Sequence, residues 1–107
     1  MTDGPAGDLE TVIATAVADL EDVVREPTAA GSEWSTRGIV FSAIEGNRGE
    51  FRLAPAVVAA ALRTPDTAAS TRGSDWVAFA PAELDRHAID RASAWVASAW
   101  RRARAGD

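Results

Sequence analysis

From Leu9 to Val24 the apolar residues return at helical intervals: Leu9, Val12, Ile13, Ala16, Val17, Leu20, Val23 and Val24. That spacing draws one stripe along an α-helix, with Glu10, Asp19, Glu21 and Asp22 largely off it. Asp8 is placed as the N-cap, and Glu26-Pro27 predicts the stop, because a residue before proline is pushed out of the α region. Residues 27–37 read as a loop containing Gly31 and Trp34.

From Gly38 the period becomes two. Ile39, Phe41 and Ala43 alternate with Val40, Ser42 and Ile44, a strand with both faces covered. Glu45-Gly46-Asn47-Arg48-Gly49 is turn chemistry, and Glu50–Leu53 returns as the second strand of a hairpin. Pro55 opens a short helix through Val57, Val58, Ala61 and Leu62, which Thr64-Pro65 ends. Thr67–Thr71 predicts a weak strand, Arg72-Gly73-Ser74 a turn, and Asp75–Ala80 a stronger strand. A final helix is expected from Pro81, with Glu83 and Asp85 in its first turn and Arg101, Arg102 and Arg104 in its last, as the helix dipole favours. Its apolar stripe is Ala88, Ile89, Ala92, Val96, Ala99 and Ala103, flanked by Trp95 and Trp100. The expected class is α+β, a two-layer antiparallel sheet with helices, in the order α-β-β-α-β-β-α. Residues 1–7 are expected to form a flexible N-terminal segment, and 8–107 a single domain.

Composition narrows the chemistry. All eleven basic residues of the 107 are arginine, and lysine, cysteine and tyrosine are absent. A lysine Schiff base, a P-loop lysine, a cysteine nucleophile, thiolate metal sites and disulfides are thereby excluded. One histidine cannot build a multi-histidine metal cage, and nothing in the chain asks for a cofactor or metal. The formal net charge is −5. Residues 1–50 carry most of the acids, which argues against a nucleic-acid backbone as partner. Met1–Asp8 has neither the basic nor the apolar region of a signal peptide, and no run is long enough to span a bilayer. A cytoplasmic protein without membrane association is the expectation. The arginine-for-lysine and alanine bias suggests a GC-rich bacterial genome.

The segments Phe51-Arg52-Leu53-Ala54-Pro55 and Ser74-Asp75-Trp76-Val77-Ala78-Phe79, with the helix from Glu83, resemble the small luciferase-like domain family of uncharacterised bacterial proteins. Members often carry a Gly-His motif near the second strand, where this chain has Glu45-Gly46-Asn47-Arg48-Gly49. The resemblance implies a fold and is no evidence for light emission, since a fold-level name does not specify a reaction.

His87 is the first general-base candidate by its ordinary pKa, yet on the last helix it falls opposite the core stripe. Glu83, Asp85 and Asp90 suit a hard cation by type, but helix-start acids have a simpler electrostatic purpose. The Glu45–Gly49 glycines could form an anion nest, but the segment lacks the spacing and following helix of a dinucleotide site, and a hairpin turn explains it fully. Ser42, Ser70 and Ser93 lack a nucleophile-elbow context. Four tryptophans, Trp34, Trp76, Trp95 and Trp100, either fill an alanine-rich core or anchor a ligand or partner, with Arg101 and its neighbours as a rim. The poverty of catalytic side chains favours a non-enzymatic binding or protein-interaction module, with a protein partner or a second copy as occupant. The alternative is a small apolar-ligand-binding protein or minor enzyme, with His87 beside a pocket between sheet and helices.

Overall fold

In the computed structural model residues 8–106 are described; the expected flexible segment 1–7 lies outside the described residues. The chain is α+β, with three helices and one six-stranded antiparallel sheet. In chain order the elements are α1 (Leu9–Val17), β1 (Val23–Pro27), β2 (Gly31–Thr36), β3 (Ile39–Glu45), β4 (Arg48–Arg52), α2 (Pro55–Ala61), β5 (Thr67–Ala69), β6 (Trp76–Phe79) and α3 (Arg86–Arg104). The strands lie in the order β1-β2-β3-β4-β6-β5, so β1 and β5 form the edges.

Two features differ from the expected order. The first helix is capped at Ala18 instead of running to Glu26, and the expected 27–37 loop is the far part of a β1–β2 hairpin. The apolar residues Leu20, Val23 and Val24 satisfy a helical stripe and a strand start alike. Asp22, at φ 59°, breaks the helical path, and Val23 and Val24 then pair with Thr36 and Ser35. β-branched side chains fit that pleated pairing better than a helix end. At the other end, α3 starts at Arg86 and not at Pro81. Asp85 is therefore its N-cap, accepting from the Ala88 amide at 2.9 Å, and Glu83 precedes the helix.

The hairpins are tight. Arg37 and Gly38, both at positive φ (54° and 82°), make the two-residue β2–β3 turn, the I′ geometry that matches strand twist. Gly46 (φ 60°) takes the first corner of the β3–β4 turn. Gly31 is required for a different reason: a Cβ there would lie 2.2 Å from the Ile44 carbonyl oxygen. Phe41 is the extra residue of a β-bulge opposite Trp34/Ser35.

Strand pairing sorts the side chains into two cross-strand rows. Arg25, Trp34, Ser42, Phe51, Val77 and Ala69 lie abreast on one face. That face meets α1 and α3 and holds the core, with Trp34, Phe41, Phe51 and Phe79 fully buried. α3 presents Ala88, Ala92, Val96, Ala99 and Ala103 to it, and the small side chains let the helix lie close. Trp95 closes over Phe79 edge-on at 5.2 Å and Phe51 at 6.0 Å. Val57, Val58 and Ala61 of α2 join the same core. The second row, Glu26, Glu33, Ala43, Glu50, Ala78 and Ala68, occupies the opposite face, turned away from the core that the described helices cover.

Candidate interaction surface

The six residues singled out from the sequence are not brought together. Trp34 is 1% exposed beneath α1, with the Arg25 guanidinium over its ring at 5.2 Å. Trp95 is part of the core wall. Trp100 lies on the other flank of α3, where its indole N–H donates to the Glu21 carbonyl at 2.9 Å and Arg104 covers the ring at 5.1 Å. Trp76 is half-buried on the opposite face of the sheet, under Arg72 at 5.2 Å. Arg101 and His87 are exposed at opposite ends of α3. Among the described residues no group of three or more His, Asp or Glu side chains is placed to hold a metal ion. No described helix is long and apolar enough to cross a membrane.

The helix-free face carries an ion lattice instead. Glu50, 1% exposed on the central strand β4, is held from three sides. Arg48 donates to its Oε2 at 3.2 Å, the Ser70 hydroxyl donates to its Oε1, and the Arg72 Nε lies 3.8 Å from that oxygen. Arg72 reaches over the sheet from the loop after β5, with separate nitrogens on Glu33 (3.1 Å) and Glu45 (3.0 Å). Asp75 ties the far end of the same loop to Arg102 of α3 at 3.2 Å, and Arg102 also donates to the Leu53 carbonyl at 2.6 Å. A recess of about 160 Å³ remains beside Glu50, floored by Ala68 and Ala78. Sequence reasoning missed this lattice because its members lie on four segments that only strand register brings abreast.

The hydrogen bond from Arg48 holds the Glu45 carboxyl below its ordinary 4.5; burial opposes the shift and Arg72 assists it. A carboxylate with a lowered folded pKa stabilises the fold above its unfolded value, and that contribution disappears as pH falls through the folded value. A Glu45→Gln variant is therefore expected to be less stable than the parent at neutral pH, with the gap closing below pH 4.5. Denaturation midpoints measured at a series of pH values check this; a gap independent of pH would contradict it.

The second distinctive region is the outer edge of β1, with which no described strand pairs. The Thr28 amide donates to the Gly31 carbonyl at 3.0 Å, which makes 28 and 31 a hydrogen-bonded pair. Alternation in an antiparallel ladder then turns the backbone groups of Glu26 and Val24 inward to β2 and those of Val23, Arg25 and Pro27 outward. The Gly46 amide bonding the Ala30 carbonyl at 2.9 Å sets the same phase from the β3 side. Pro27 has no N–H to present, so it sits where an edge strand tolerates proline. Val24, 56% exposed, is the most exposed large apolar side chain among the described residues. Beside this edge, a groove of about 290 Å³ runs between α1 and β1, lined by Ala14, Val17, Leu20, Val23 and Trp34 and crossed by Arg25. Arg25 is fixed there by the Glu10 carboxylate and by the Ser32 hydroxyl at 3.1 Å. Set against family models, curated proteins and solved structures, the chain matches none of them.

Proposed function

We propose that this protein is a non-enzymatic interaction module that takes an extended segment of a partner along the outer edge of β1, left unpaired among the described residues. One observation carries the reading: an edge strand presents the outward amides of Val23 and Arg25 beside a Val24 that is 56% exposed. Strand addition draws affinity from main-chain hydrogen bonds and specificity from alternate side chains, and this edge offers both. An uncovered edge is ordinarily a hazard, blunted by shortness, charge and proline. β1 has a proline only at its end, which leaves two consecutive outward residues able to donate. The likeness to the luciferase-like family contributes no ligand or reaction to this reading.

The test is selection of extended peptides from a random displayed library by the full chain and by an Arg25→Pro variant. Proline at an outward-facing edge position removes the donor without breaking the β1–β2 ladder. Peptides enriched by the parent and lost with Arg25→Pro are the expected result. Enrichment that survives the substitution, or none at all, would refute the edge as the binding element.

A further inference from the structure

Resting on that reading, we infer that the segment taken by β1 is basic, with a cation opposite Glu26 and an apolar residue opposite Val24. In an antiparallel partner this is the pattern basic-x-apolar. The reason lies in the charge left over at the edge. Glu26 stands directly opposite Glu33 on the helix-free face, and like charges in that relation destabilise a sheet. Glu33 is paired with Arg72 at 3.1 Å. Glu26 is exposed and makes no ion pair among the described residues. A strand laid against β1 places one side chain directly beside Glu26 on that face, and an arginine or lysine there relieves the repulsion. Two residues along the partner, an apolar side chain meets Val24 and removes both from water.

A second copy of the chain fits less well. Two-fold antiparallel pairing of β1 with itself sets same-face residues opposite one another, and Arg25 and Glu26 are on opposite faces. No symmetric register can therefore lay Arg25 against Glu26. Pairing centred on Arg25 opposes two arginines, and pairing centred on Val24 joins the valines but leaves Glu26 without a cation.

The experiment uses three blocked peptides with the same extended framework, Thr-X-Thr-Val-Thr, in which X is Arg, Gln or Glu. Each is titrated into the full chain, with amide shifts of Val23 and Arg25 read by NMR and affinities read by anisotropy. Each step from Glu to Gln to Arg is expected to tighten binding about fivefold at low salt, the scale of a cross-strand charge pair. The differences should shrink at high salt. A Glu26→Lys variant, exposed and expected to fold, should reverse the order. Equal binding of the three peptides at the Val23 and Arg25 amides would overturn the charge inference and leave the edge reading intact. Self-association that occupies those amides without peptide would do the same, with a second copy as the occupant. Absence of any shift at those amides would overturn both.

Discussion

An Arg72→Ala variant is expected to lose about 2–4 kcal/mol of stability, below the full cost of breaking a buried ion pair because its partners are partly solvated. One guanidinium faces three carboxylates on three different strands, and its removal leaves Glu33, Glu45 and Glu50 with Arg48 as the remaining nearby cation. Glu50 is the sensitive member, since a carboxylate 1% exposed cannot be rescued by water. Lysine should recover only part of the loss: an ammonium is a point donor, and Arg72 uses separate nitrogens for Glu33 and Glu45. Urea denaturation at neutral pH measures the effect. Repeating it below pH 4.5, where the stabilisation that comes with the lowered pKa of Glu45 is lost, should shrink the deficit. A deficit that does not change with pH would assign the loss to packing on Trp76 instead of charge.

Phe51→Ala is expected to cost about 3–5 kcal/mol, the range for truncating a fully enclosed aromatic. Phe51 is 0% exposed, sits abreast of Ser42 and Val77 in the middle of the sheet, and supports Trp95 at 6.0 Å. The void would open directly under that indole, so the emission of the folded variant should change along with its denaturation midpoint. A loss under about 1 kcal/mol would mean that α3 settles into the space, a collapse the fixed sheet backbone argues against.

Much of this fold is legible in the chain wherever one reading of a residue excludes the other. Asp8 before an apolar stripe, Gly46 in a turn between alternating segments, and the alanine face of α3 with its terminal arginines each admit a single local structure. The region 18–37 does not. Leu20, Val23 and Val24 fit two periods at once, and the turn that joins β2 to β3 is Arg37-Gly38, where an arginine occupies a left-handed position more often given to Asn or Asp. The edge of β1 is illegible for the same reason: it exists only once β1 is a strand. By size the tryptophans are candidate anchors, yet Trp34 and Trp95 work in the core. The residues that organise the helix-free face, Glu33, Glu45, Glu50 and Arg72, are unremarkable by type and spacing. Register alone gives them meaning.

The sheet order also sets a sequence of events in time. Strands β1 to β4 form a meander whose neighbours are joined by short turns, so each pairing closes a small loop and can form early. The helices that cover its apolar face are drawn from opposite ends of the chain, with Trp100 of α3 reaching Glu21 just beyond α1. During synthesis the meander therefore emerges with Trp34, Phe41 and Phe51 on a face that α3 has yet to reach. It waits about 50 residues for its cover, or a few seconds at ordinary translation rates. That interval is when the chain is most exposed to mispairing, and on the other face the carboxylates of Glu26, Glu33 and Glu45, still without Arg72, give the nascent sheet a charged side that resists sticking.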